Sequence, residues 1–91
     1  MIQQVLVVEN KLGLHARAAV KLVHLASRFS SEICLSREGY HQSIDSKSIL
    51  GVLMLAASRG TRLVVSVAGP DEVEAGDAIR QLFADKFGEE C

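Results

Sequence analysis

The 91 residues carry ten basic and eleven acidic side chains, with 48% hydrophobic and 4% aromatic content, and describe one small near-neutral domain over residues 1–91. Scaling of surface with mass gives roughly 5,200 Å² folded against about 14,200 Å² unfolded, which supports one core and no deep cleft. The balanced charge argues against nucleic acid or an anionic membrane as partner, and the longest apolar run, Val52 to Ala57, is far too short to cross a bilayer.

In chain order, Ile2 to Val8 is rich in β-branched residues and reads as a first strand, followed by a loop at Asn10-Lys11-Leu12-Gly13. From Ala16 the spacing becomes helical, with Ala19, Leu22, Val23, Ala26 and Phe29 on one stripe and Arg17, Lys21, His24 and Ser27 mostly opposite. Glu32 to Arg37 alternates as a strand, and the Glu38-Gly39 turn leads into a hairpin partner from Tyr40 to Ser43 or Ile44. Asp45 or Ser46 is placed to cap a short helix, Lys47 to Leu55, closed by the Ser58-Arg59-Gly60 loop. Thr61 to Ala68 is a strand, and Gly69-Pro70-Asp71 is turn chemistry with acids that favour the next helix N-terminus. That last helix is predicted from Asp71 to Phe87, burying Val73, Ile79, Leu82, Phe83 and Phe87, with Gly76 costing about 1 kcal/mol relative to alanine. The order β-α-β-β-α-β-α points to an α+β fold. We expect an open-faced β-sandwich, a four-stranded, mainly antiparallel sheet covered on one face by three helices.

The N-terminus lacks a basic segment followed by a small-residue cleavage site, so a cytoplasmic location is expected. Cys34 sits in an apolar segment and reads as a core residue, while Cys91 is terminal; neither has metal-ligand spacing or a disulfide framework. No metal and no cofactor is expected, because His24 falls on a polar helix face and His41 in a different hairpin, both read as solvated.

The chemically informative stretch is Gly13-Leu14-His15-Ala16-Arg17-Ala18-Ala19, where a glycine loop delivers His15 to a helix N-cap. Histidine caps poorly beside Ser, Thr, Asp or Asn, and so local stability has been given up at that position. The first turn offers unpaired N–H groups at Ala16 and Arg17 together with the positive end of the helix dipole, an anion site in which a phosphate on His15 would lie. The Arg17 guanidinium suits the same tetrahedral dianion, and nearby positive charge favours neutral, nucleophilic imidazole.

Ser46-Lys47-Ser48-Ile49-Leu50-Gly51-Val52-Leu53-Met54-Leu55 is apolar on nearly every side. Val52 and Leu55 are expected to face inward, leaving Ile49, Leu50 and Leu53 or Met54 partly exposed for a partner, with Ala16 and Val20 beside them. A phosphate on Ser48 would sit favourably at a helix N-terminus, yet place a dianion among apolar contact residues.

GLHARAA together with KSILGVLML resembles the HPr family, the histidine-containing phosphocarriers of the bacterial phosphoenolpyruvate-dependent phosphotransferase system, over essentially the whole chain. The resemblance implies a carrier rather than an enzyme. His15 would accept a phosphoryl group on Nδ1 from phosphorylated enzyme I and pass it to a histidine of an enzyme IIA component, with Arg17 stabilising the group. By the same resemblance Ser48, selected over Ser46 by KSIxGV, matches the serine phosphorylated by HPr kinase/phosphorylase. Docking would involve Ala16, Val20, Ile49, Leu50 and Leu53, and a monomer suffices. The chain departs from the family at Ala18, where proline is usual, so the first turn regains an N–H. Its hairpin and serine region is slightly long, as in versions from Gram-negative bacteria that often serve regulatory or nitrogen-related branches rather than sugar transport. The alternative reading is a regulatory binding module controlled by Ser48 phosphorylation, with a weak or vestigial His15 relay.

Overall fold

The computed structural model describes residues 1–89; Cys91 lies outside them. Strands β1 (Ile2–Val7), β2 (Glu32–Arg37), β3 (Ser43–Asp45) and β4 (Arg62–Ala68) form one sheet in the order β1-β4-β2-β3, and every pairing is antiparallel. Helices α1 (Ala16–Ala26), α2 (Ile49–Met54) and α3 (Glu72–Ala84) complete the expected open-faced sandwich. The exposed surface is 5243 Å², close to the value expected from mass.

Period-two alternation explains why one sheet face is covered. Leu6, Val8, Ile33, Leu35, Leu63, Val65 and Val67 point into the core, against Ala18, Ala19, Leu22 and Ala26 of α1 and Ala75, Ile79 and Phe83 of α3. Cys34 has the opposite parity and is half-buried on the other side of the sheet, which corrects the expectation of a core cysteine. Its burial, followed by the charges of Glu32 and Asp45, pushes the thiol pKa up, away from reactive thiolate.

Four boundaries differ from the sequence reading. Tyr40 is not in the hairpin's second strand: its N–H donates to Arg37 O at 2.9 Å and its ring lies 5.2 Å from the Arg37 guanidinium, so it closes the turn. Pairing therefore resumes only at Ser43, with Ile44 opposite Leu35. Neither Asp45 nor Ser46 caps α2. Asp45 still pairs with Cys34, and the buried Ser46 hydroxyl donates to Ile33 O at 2.9 Å, so the cap falls to Ser48, whose Oγ accepts from Gly51 N at 3.1 Å. Phe29 lies beyond the end of α1 and packs against the core from the following turn. Helix α3 stops at Ala84, and Val73 is exposed: it lies six positions before Ile79, which at about 100° per residue turns it off the buried row. Gly76 packs toward β1, where Gln4 Nε2 donates to its carbonyl at 3.0 Å.

Candidate functional site

His15 is the N-cap of α1, in extended backbone (φ −76°, ψ −179°), and its side chain makes no capping bond. Because the first turn also contains no acidic residue, its N–H groups are left to an anion. Ala16 and Arg17 are exposed there. The loop that delivers His15 depends on Gly13, whose φ is +67° and whose N–H donates to Asn10 O at 3.1 Å. A Cβ on Gly13 would lie 2.5 Å from Ala57 O and 2.8 Å from Ser58 Cα, so only glycine lets the two loops meet.

The imidazole is not free on both sides. Its Nε2 is 2.5 Å from Glu89 Oε2, and the other carboxylate oxygen, Oε1, accepts from Asn10 Nδ2 at 2.9 Å. Asn10, fully buried, also donates from Nδ2 to Gly13 O at 2.7 Å. The Asn10 amide is the main cause that holds the Glu89 carboxyl below the usual carboxylate range, with burial opposing and His15 and Lys21 reinforcing. Glu89 reaches this position because the chain turns left-handed after α3: Lys86, Phe87 and Gly88 have φ of 55°, 56° and 76°. Phe87 is fully buried against Phe83, with ring centroids 4.9 Å apart, and its carbonyl accepts from Lys21 Nζ at 2.6 Å. That anchoring offsets a backbone conformation costing roughly 1–2 kcal/mol at each non-glycine residue.

Sequence reasoning missed Asn10 and Glu89. Asn10 was visible only as a loop residue, and nothing local to Glu89 signals that the chain end folds back onto the first helix.

Ser48 begins α2, which packs against α1. Val52 and Leu55 are buried, while Val20, Ile49, Leu50, Leu53 and Met54 are exposed, Leu50 and Met54 by 69% each. Leu12, 67% exposed in the loop before Gly13, is a further apolar side chain near His15 in sequence that the pattern analysis did not single out. His24 and His41 are exposed. Among the described residues no group of three His, Cys, Asp or Glu side chains could hold a metal ion, and no helix is long and apolar enough to cross a membrane. A hollow between the hairpin and α2, lined by Arg37, Tyr40, Gln42, Ile44, Met54 and Leu55, includes neither His15 nor Ser48.

The profile of the family described as "PTS HPr component phosphorylation site" matches residues 2–85. The phosphocarrier protein HPr of Cupriavidus necator is 49% identical over 89 residues, covering 98% of each chain. The crystal structure of HPr-C-His from Thermoanaerobacter tengcongensis superposes with a TM-score of 0.93 at 40% identity and full coverage of both chains. An HPr dimer from the same organism matches with a TM-score of 0.76 at 41% identity, over 90% of this chain and 92% of that one. A histidine presented on an uncapped helix turn thus sits in a chain that belongs, over nearly its whole length, to the HPr family of phosphocarriers of the phosphotransferase system.

Proposed function

We propose that residues 1–91 act as one HPr-like domain that accepts a phosphoryl group on His15 Nδ1 from phosphorylated enzyme I and passes it to a histidine of an enzyme IIA component, in the cytoplasm and as a monomer. One observation carries the choice of atom: Nε2 is engaged by Glu89, so the lone pair available to an incoming phosphorus is that of Nδ1. The Nδ1 lone pair forms the new N–P bond while the donor's N–P bond breaks, its electron pair returning to the donor nitrogen. No proton need move at Nδ1. A loose phosphoryl transition state requires positioning and charge stabilisation rather than further covalent chemistry, which suits an open surface. The Ala16 and Arg17 N–H groups and the Arg17 guanidinium supply positive charge for the three equatorial oxygens. Ala18 in place of proline leaves these groups present, so transfer survives the departure.

Ala16, Val20, Ile49, Leu50 and Leu53 form the docking rim in this reading, supported by the exposure of all five. A modest apolar patch lets each partner leave after transfer. The test is intact mass after incubation with enzyme I and phosphoenolpyruvate, before and after brief acid treatment. One acid-labile phosphate, absent in His15→Ala, is expected; an equal gain in His15→Ala contradicts the assignment.

A second reading, regulation through Ser48 by HPr kinase/phosphorylase, is favoured by a specific contrast. Ser46 is buried and its hydroxyl is committed to Ile33 O, whereas Ser48 is only half-buried, beside exposed Ile49 and Leu50. A dianion on Ser48 places charge next to the apolar rim, so the phosphoserine form should bind enzyme I more weakly. Titrations giving equal affinities for both forms would count against it.

A further inference from the structure

We infer that the hollow between the hairpin and α2 binds a small organic carboxylate, its anionic head on the Arg37 guanidinium and a compact apolar body against Ile44, Met54 and Leu55. The hollow encloses about 280 Å³, at the lower edge of the roughly 300–1,000 Å³ usual for small-molecule sites, so its occupant is small. Three parts of the chain wall it. Arg37 ends β2, Tyr40 and Gln42 come from the hairpin turn with Ile44 of β3 after them, and Met54 and Leu55 lie at the end of α2.

Charge decides the head group. Arg37 is half-buried, and every other residue lining the hollow is uncharged. None of the ion pairs among the described residues uses Arg37, and the neighbouring Glu38 carboxylate is taken by Arg62 Nε at 2.7 Å. Two weak contacts hold the guanidinium: Nη1 donates to Leu55 O at 3.3 Å, longer than an ordinary N–H···O bond, and the group lies 5.2 Å from the centre of the Tyr40 ring. Both orient its plane without neutralising it, and most of its five N–H donors remain for an acceptor. A carboxylate matches that planar fork with two parallel bonds. The body of the ligand follows from the opposite wall, where Met54 is 69% exposed beside half-buried Ile44. A partner's aspartate or glutamate would meet Arg37 and leave that wall bare, whereas a free carboxylate carrying an aryl group covers both, with the Met54 thioether against the ring. The hollow contains neither His15 nor Ser48, so the site stands apart from phosphoryl transfer and its test needs no phosphate donor.

The probe is 3-phenylpropionate, titrated at constant ionic strength and neutral pH into the ¹⁵N-labelled full chain and followed by backbone amide shifts. About eleven non-hydrogen atoms at ordinary ligand efficiency give a Kd on the order of millimolar. Saturating shifts are expected at Gln42, Ile44, Met54, Leu55 and Ala56. The uncharged 3-phenylpropanamide, of the same shape, should bind about tenfold more weakly. Arg37→Met keeps an apolar stem and removes the charge, and should weaken the acid by about tenfold, with Arg37→Lys in between. Thermal melts establish that both variants are folded. Equal affinities for acid and amide, an affinity unchanged in Arg37→Met, or no saturation at these residues up to about 30 mM overturn the site. Shifts centred on Ala16 and Arg17 would place the anion on the first turn of α1 and overturn it equally. Hollow amides that respond to enzyme I and not to the carboxylate would assign the hollow to a partner's side chain, which also overturns it.

Discussion

Replacing Gly13 with alanine tests how the loop geometry and the site depend on one another. The new Cβ would meet backbone, Ala57 O at 2.5 Å and Ser58 Cα at 2.8 Å, with no flexible side-chain end to give way. Relief requires the two loops to separate, which stretches the Leu14 N–H bond to Ala57 O, now 2.9 Å. Overpacking of this kind costs about 1–3 kcal/mol and the weakened hydrogen bond about 1 kcal/mol. Holding alanine at the left-handed φ of +67° adds roughly 1 kcal/mol. The smaller entropy of an unfolded chain with alanine recovers about 0.4–1 kcal/mol, leaving a net loss of about 2–4 kcal/mol. A chain of this length has a total stability of about 5–14 kcal/mol, so Tm should drop by about 10–30 °C. Urea unfolding followed by circular dichroism measures the loss, with an unchanged m-value expected if only the native state is affected. Phosphoryl acceptance should fall as well, because the Gly13 carbonyl that orients Asn10 moves. A loss under about 0.5 kcal/mol would show that the loops do not meet as described.

Ala56, just past α2, sits at φ 50°, a position usually suited to glycine, so Ala56→Gly should raise stability by about 0.5–1 kcal/mol, read in the same urea titration. Ser48→Ala removes the acceptor for Gly51 N and should cost about 1 kcal/mol of stability; phosphorylation by the kinase should vanish with it. Leu50→Glu, at a side chain 69% exposed, should change stability by less than about 0.5 kcal/mol yet weaken binding of enzyme I, measured by titration calorimetry. The Asp71, Glu72 and Glu89 carboxyls are all held below their ordinary pKa values in the folded chain, Asp71 chiefly by the Ser31 hydroxyl, Glu72 by the Gly69 N–H and Glu89 by the Asn10 amide. The unfolded chain therefore binds more protons in acid: stability from these groups is present above their unfolded pKa values, about 4, and declines as pH falls through the lower folded ones. Melts from pH 7 to pH 3 should show that decline, and Asp71→Asn should make it shallower.

The strands and the α1 face were legible because their pattern is local: alternation along β2 and β4 places Ile33, Leu35, Leu63, Val65 and Val67 on one side, and Ala19, Leu22 and Ala26 share a helical stripe. The partial exposure of α2 was legible for a related reason, since six residues that are apolar all round do not all fit inside so small a core. His15 stood out by violating a capping preference, and it does occupy the N-cap. What remained hidden depends on tertiary structure. A Phe at φ 56° contradicts every local preference and is held by burial, so the end of α3 and the return of Glu89 were invisible from spacing alone. Asn10 looks like turn chemistry until Gly13 O and Glu89 are seen on either side of its amide.

Whether His15 takes the phosphoryl group on the nitrogen opposite Glu89 is decided by ¹⁵N and ³¹P spectra of the ¹⁵N-labelled chain after phosphorylation by enzyme I and phosphoenolpyruvate. A single phosphohistidine is expected, with phosphorus bonded to Nδ1 and a proton retained on Nε2. Phosphorus on Nε2, or on a residue other than His15, would contradict that assignment.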